Sequence, residues 1–497
     1  MLSFACGPSQ SDLLEGWPIC RSATPVGAAY AAAAGSNAAA PPDSGADYKI
    51  EIGTGVIELG KDAAIATKTY NGQFPGPLLR FTEGKRVVVD VRNNTDTPEL
   101  LHWHGLFLGG DVDGAAEEGS PFIPARGQQR ISFVPAPSGL RFYHTHVPAG
   151  PDLSLGMYSG QVGPVYIEPR REPGAYDREV FLTLKEFGPY LNHSEMTMRF
   201  LAPRDRVREL YDIDQVAIKA ATAQGRKPGF ELAYQFFTVN GRMLGAGEPI
   251  RVKSGERVLF HIINASATEI RSLALPGHMF KVVALDGNPV PVPTEVPVLW
   301  LGTAERISAI VEMKAPGVWI MGDTDDDART HGMGIVVEYA GRTGEAQWKP
   351  PPKSFLWDYR RFAKPGAGSH PPDETIELLF GTQYSAVNGF DAFTINGAAF
   401  SMTRMEPKFR LRYGARYRLR MRNATDDNHP VHLHRHNFEI TSIAGQPVAG
   451  VMKDVVMMGG FQEMTVDFTA DQRGLTLFHC HMQHHMDFGF MALFECA

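Results

Sequence analysis

The residues best suited to chemistry are His479-Cys480-His481, followed four residues later by His485. The flank Leu475-Thr476-Leu477-Phe478 is apolar and predicts a buried strand. Successive side chains of a strand point to opposite faces, so His479 and His481 look one way and Cys480 the other. One strand can then serve two metal sites, with the Cys–His peptide as a covalent wire between them. A thiolate with two imidazoles is the ligand set of an electron-transfer copper. Two histidines on the opposite face suit a second, imidazole-rich copper site.

Three further clusters supply the other donors: His102-Trp103-His104, His144-Thr145-His146 and His429-Pro430-Val431-His432-Leu433-His434. If Val431 to Arg435 is extended, His432 and His434 share a face. His429 lies an odd number of residues before them and can turn to the Cys480 side. The donors then divide into two sets. His429, Cys480 and His485 make one site. His102, His104, His144, His146, His432, His434, His479 and His481 make another, with enough imidazoles for three coppers.

A lone His-x-His is a weak signal. Four such clusters in this order, one carrying the cysteine, resemble the four copper signatures of the multicopper oxidases, and the chain resembles their three-domain, laccase-like members over residues 47–497. The resemblance implies four coppers per chain. Cys480, His429 and His485 would hold the type 1 copper, and His102 and His432 the type 2 copper. His104, His144, His146, His434, His479 and His481 would hold the type 3 pair. It also places an axial residue ten positions after the cysteine, which is Phe490; phenylalanine cannot ligate, so a three-coordinate copper of high potential is expected, with Met491 as the neighbouring alternative. Asp113, in Gly110-Asp111-Val112-Asp113-Gly114, matches the family aspartate that assists proton delivery on the type 2 side; the plainer reading is a turn aspartate before glycine. A second family acid, found in some members just after the last type 1 histidine, is here Met486, and Asp487 beside it is the substitute to test.

These donors need a scaffold, and an internal repeat describes one. Tyr70-Asn71-Gly72, Val239-Asn240-Gly241 and Ile395-Asn396-Gly397 are each followed by an alternating strand, a glycine turn, another alternating strand and an Asn-rich end. That order is the grammar of a Greek-key β-sandwich. With the family resemblance it predicts an all-β chain of three consecutive cupredoxin-like domains, near 47–170, 171–345 and 346–497. Gly341 to Pro352 reads as the linker before the third.

The closing strand of each copy shows where metal can bind. The third has Phe478-His479-Cys480-His481, and the first has Tyr143-His144-Thr145-His146 with threonine in the cysteine slot. The second has Ile320-Met321-Gly322-Asp323-Thr324, with neither histidine nor cysteine. The shared cluster is therefore expected where the first domain meets the third. The middle domain becomes a spacer and a wall of the substrate pocket, and its His278 a structural relic.

A chain of 497 residues is too long for one ordinary domain. A formal charge of -7 and a pI near 6.2 argue against nucleic acid or an anionic membrane surface as partner. No apolar run is long enough to span a bilayer. Four cysteines do not make a disulfide framework. Residues 1–46 read as a leader or disordered tail. Their alanine-rich end, Tyr30 to Pro42, is similar to the cleavage end of an export signal, although a basic start and a continuous apolar core are missing. The expected location is periplasmic or secreted.

The implied activity is one-electron oxidation of phenols or aromatic amines, coupled to four-electron reduction of O2 to water, by a chain active as a monomer. A cuprous or ferrous oxidase and a bilirubin-oxidase-like enzyme are the enzymatic alternatives, and a cell-envelope scaffold on an oxidase fold is the non-enzymatic one. Met452, Met457, Met458, Met464, Met482, Met486 and Met491 could bind cuprous ion, but core filling is the favoured reading. Asp323-Thr324-Asp325-Asp326-Asp327 is expected as a solvated loop near the pocket, His436 as a hydrogen-bonding neighbour of the cluster, and His484 as a surface or rim residue.

Overall fold

The computed structural model describes residues 45–170, 174–192, 206–366 and 370–497. Six β-sheets pair into three consecutive sandwiches. In the first, Ala63–Tyr70, Tyr48–Gly60, Val87–Asn93 and Gln128–Phe133 form one sheet in that order. Leu79–Thr82, Val162–Glu168, Gly139–His144 and His102–His104 form the other. In the third, the first sheet runs Phe390–Ile395, Glu374–Val387, Arg416–Asn423, Glu463–Thr469, Phe438–Ile443, Gln446–Lys453. The second runs Phe409–Leu411, Met491–Cys496, Gly474–Cys480, His429–Leu433, Val455–Met458. The middle sandwich, whose strands lie between Arg178 and Tyr339, repeats the order of the third. The architecture is all-β, as expected. Among the described residues no helix is long and apolar enough to cross a membrane.

The repeat has a local cause. Asn71, Asn240 and Asn396 sit at φ 55°, 53° and 53°, each followed by a glycine at positive φ. Two residues at positive φ are what a tight hairpin turn of matching twist requires. In all three copies the asparagine carboxamide then accepts a hydrogen bond of 2.7 Å from the neighbouring strand, from the backbone N–H of Glu51, Thr183 or Leu379. Asparagine is chosen because it tolerates the left-handed region and can reach across.

The copies differ where the site is built. In the second and third sandwiches, an extra hairpin extends the first sheet: Phe280–Leu285 with Asn288–Val296, and Phe438–Ile443 with Gln446–Lys453. The first sandwich has no such hairpin among its described residues. Between His102–His104 and Gln128–Phe133 it carries short helical turns, Gly110–Asp113 and Ala116–Glu118, which hold Asp113, Glu117 and Glu118 in a buried position.

A longer helix also lacks a counterpart among the described residues of the other two sandwiches. The helix Arg208–Ala223, inserted between two strands of the middle sandwich, lays Leu210 against Ala424 and Phe461 of the third. The Tyr384 hydroxyl donates to Asp214 of this helix at 2.7 Å.

His278 bonds through its two ring nitrogens to Pro276 O (2.8 Å) and the Tyr339 hydroxyl (2.5 Å), which is a structural role. The acidic run departs from expectation. Asp323 is buried and accepts from Ser272 Oγ at 2.7 Å, and Asp325 caps the short helix Asp326–Thr330; only the later aspartates are solvated. The expected leader lies almost wholly on residues 1–44, outside the described residues.

Candidate metal centre

The eight histidines of the larger set converge because four strands carry them in register. His102 lies opposite His144 in the first sandwich, and His432 opposite His479 in the third. The two sheets present these rows to each other across the boundary between the sandwiches. The His104 and His432 rings stack with centroids 3.9 Å apart, and the His102 and His434 rings at 4.2 Å. Donor atoms gather in trios within 4.8 Å: His104, His144 and His481; His146, His434 and His479; His102, His104 and His432.

Hydrogen bonds decide which nitrogen each ring presents. The Nδ1 atoms of His102, His144, His432 and His479 donate to the carbonyls of Asp113, Thr145, Asp454 and Cys480, at 2.9, 2.8, 2.7 and 2.9 Å. A carbonyl only accepts, so each Nδ1 carries the proton and each Nε2 keeps its lone pair. His434 Nδ1 likewise donates to Asp113 Oδ2 at 2.9 Å. His434 Nε2 and His479 Nε2 then face each other at 3.0 Å as two acceptors with no proton between them. The Nε2 atoms of His102, His144 and His432, and both nitrogens of His146 and His481, are buried without a hydrogen-bond partner. Burial, reinforced by neighbouring rings, holds the imidazoles of His104, His144, His146, His434, His479 and His481 far below their usual pKa. A buried nest of imidazoles with convergent lone pairs is costly unless cations fill it. Imidazole-rich geometry of this kind suits copper.

The smaller set lies on the other face of the same strand. Cys480 Sγ is 3.4 Å from His485 Nδ1 and 3.7 Å from His429 Nδ1, and the two nitrogens are 3.0 Å apart. Thr425 Oγ1, 2.8 Å from His429 Nε2, fixes that ring. Burial pushes the Cys480 thiol well up, so a bound cation is what would make it a thiolate. The Phe490 ring lies 4.6 Å from the His429 ring, and its backbone brackets the site: Cys480 N donates to Phe490 O, and Phe490 N to His485 O. Met491 packs elsewhere, with Leu477, Met486 and Leu493. The carbonyl of Cys480 is also the acceptor of the His479 Nδ1 proton, so a hydrogen bond runs beside the peptide that joins the two residues.

Carboxylates surround the larger cluster. Asp113, fully buried, reaches His434 and lies 3.0 Å from His102 Nδ1. Glu117 and Glu118 are not legible as site residues, being two glutamates in a loop of glycine and alanine. Yet Glu117 Oε2 is 3.6 Å from His146 Nδ1, and Glu118 accepts from Leu477 N at 2.6 Å and lies 3.5 Å from His434 Nδ1. Burial raises the Glu117 carboxyl to about 7. Asp487, also raised to about 7 by burial, spends its carboxylate on the amides of Ala149 and Gly150 and the side chain of Gln483. His436 Nδ1 bonds the His434 carbonyl at 3.0 Å.

Outside His485 lies a recess of about 30 Å³, lined by Glu231, Leu232, Thr268, Glu269, Asp427, Met482 and His484. His484, expected at the surface or rim, lines this recess but is itself buried against Phe390, Phe393 and Phe488. Burial and neighbouring carboxylates raise the Asp427 carboxyl well above its usual range. For Glu269, burial leads and the carboxyl rises to about 7.

Sequence models of the multicopper oxidase family match residues 52–172, 206–339 and 372–497. The chain is 30% identical over 441 residues to the multicopper oxidase MmcO of Mycobacterium tuberculosis, covering 86% of this chain and 82% of that one. Its fold is similar to that of Fet3p, a multicopper oxidase that functions in iron import (TM-score 0.71, 19% identity, 90% of each chain). It is equally similar to a laccase from Botrytis aclada (TM-score 0.70, 18% identity, 90% of this chain and 87% of that one).

Proposed function

The chain belongs to the multicopper oxidase family, and from that premise we propose that Cys480, His429 and His485 hold a type 1 copper, His102 and His432 a type 2 copper, and two trios a type 3 pair. The trios are His104, His144, His481 and His146, His434, His479. Copper in these sites supplies one-electron steps and the reduction of O2 to water. The observation that carries the reading is the strand end at Cys480: its sulfur faces His429 and His485, while the residues on either side belong to different trios. With copper held there, His485, which lines the recess, would face the electron donor, and Cys480 would link that site covalently to His479 and His481. Asp113, in contact with His434 and His102, supplies or relays protons. All these groups come from one chain, which supports action as a monomer. Export to the periplasm or the medium is the location consistent with the alanine-rich stretch before residue 43.

For the electron donor, the recess favours cuprous or ferrous ion. Three carboxylates, a thioether and an imidazole are cation ligands. A phenol or aromatic amine is the second reading, supported by the same carboxylates as acceptors for the proton such donors lose.

Copper content and oxygen uptake test the oxidase; parallel turnover of cuprous ion and a phenol tests the donor. Cys480→Ser should lose the visible blue absorption and the activity while keeping the other coppers. A fully active Cys480→Ser enzyme would remove the wire from the scheme.

A further inference from the structure

The middle sandwich supplies none of the proposed ligands, yet it reaches two of them through a sealed ionic seam. Asp454 of the third sandwich is the hub. Arg306 of the middle sandwich clamps it with two prongs, Nη1 to Oδ1 at 2.5 Å and Nη2 to Oδ2 at 2.6 Å. Arg141 of the first sandwich adds Nη1 to Oδ2 at 3.0 Å. Asp454 Oδ1 lies 3.2 Å from His104 Nε2, and the Asp454 carbonyl accepts from His432 Nδ1 at 2.7 Å. The side chains of Arg141, Arg306, Asp454 and His104 are fully buried.

Arg306 is itself held. Its backbone N–H donates to Asp286 Oδ1 at 2.9 Å, and the other Asp286 oxygen accepts from Lys453 Nζ at 2.9 Å. Lys453 also meets Glu305 at 2.9 Å. Arg141, Arg306 and Lys453 thus balance Asp286, Glu305 and Asp454, so the seam is neutral in these groups and tolerable in a dry interior.

The seam has a chemical consequence at His104. His102, His144, His432 and His479 donate from Nδ1 and present Nε2. His104 meets Asp454 through Nε2, and its Nδ1 is the buried atom without a partner. Its tautomer is therefore the reverse of theirs, and Asp454 sets it. Gly105, at φ 81°, makes the room: a Cβ there would come within 2.6 Å of Asp454 Oδ2 and 2.8 Å of Arg306 Nη2.

We propose that Arg306 is a positioning residue of the trinuclear centre, acting through Asp454 to fix the tautomer of His104 and the carbonyl that orients His432. The middle sandwich is then a working part of the oxygen-reducing site. This rests on the ligand assignment above.

The test is Arg306→Lys in the copper-loaded enzyme, since lysine keeps the charge but has one prong. The expected result is retained visible blue absorption, an altered paramagnetic resonance signal from the type 2 copper, and loss of trinuclear copper to graded chelators at about 10–100-fold weaker affinity. Asp454→Asn, which keeps the shape, should move the same readouts. A wild type with its full copper complement and an unchanged Arg306→Lys overturns this proposal alone. A wild type without copper overturns the ligand assignment and this proposal with it. If both variants lose their fold together with the blue absorption, the seam serves assembly only, and the positioning role is overturned.

Discussion

Glu269 at the mouth of the recess offers a perturbation whose size can be worked out. Burial raises its carboxyl from 4.5 to about 7, against the opposing pull of Arg271 and with help from Glu186, Asp323 and Asp325. A native pKa above the unfolded one means that the folded chain binds this proton more tightly, so ionisation weakens the fold. The group is neutral in both states below about 4.5 and costs nothing there. Stability is lost as pH rises from 4.5 to about 7, and above that the penalty is constant, about 3 kcal/mol. Glu269→Gln abolishes it. The variant should match the wild type near the lower limit and melt about 3 °C higher at a pH well above 7. The same charge is what attracts a cation. Anaerobic bleaching of the blue absorption by cuprous ion should therefore quicken in the wild type as pH rises through about 7, and Glu269→Gln should flatten that rise. A variant that melts lower than the wild type at high pH would refute the electrostatic reasoning. A cation rate indifferent to pH and to the substitution would remove the recess from the donor path.

Other substitutions probe separate parts of the argument. Phe490→Met puts a thioether in place of the phenyl ring that packs edgewise with His429, and a redox titration should show a lower type 1 potential; an unchanged potential would mean that this position is not axial. Asp113→Asn can still accept from His434 but cannot carry a proton, so oxygen reduction should slow about 100-fold with the rate of type 1 reduction preserved; a proportional fall in both would point to misfolding instead. Asn240→Ala loses the bond to Thr183 and puts alanine at φ 53°, which should lower stability by about 1–2 kcal/mol in denaturant melts without altering the copper spectra.

What was legible in the sequence follows from period-2 geometry. Alternation along one strand separated Cys480 from His479 and His481, and the odd spacing of His429 put it with the sulfur. Both relations survive in the fold, because a strand leaves a side chain no third direction. The Asn-Gly repeat was legible for a similar reason: its hydrogen bond is local to one hairpin and its neighbour. The division of six histidines into two trios was not, since it depends on how two sandwiches face each other. The helix Arg208–Ala223 was hidden because its buried stripe is Leu210, Asp214 and Ala221, and a buried aspartate breaks the apolar period.

The seam lay further out of reach, and the reason bears on what the middle sandwich is for. His104 and Asp454 are 350 positions apart, and Arg306 and Asp454 are 148 apart. No motif announces an arginine that opens an ordinary strand, Arg306–Glu312. In the repeat, that strand corresponds to Gln128–Phe133 and Glu463–Thr469, where the same opening position holds Gln128, exposed, and Glu463, paired with Arg420 and Arg422. Only in the copy whose closing strand, Val318–Asp323, has no histidine or cysteine does this position carry a cation turned inward to the proposed metal cluster. Through that two-pronged contact on the carboxylate beside His104, the sandwich that supplies none of the proposed ligands still bears on their geometry.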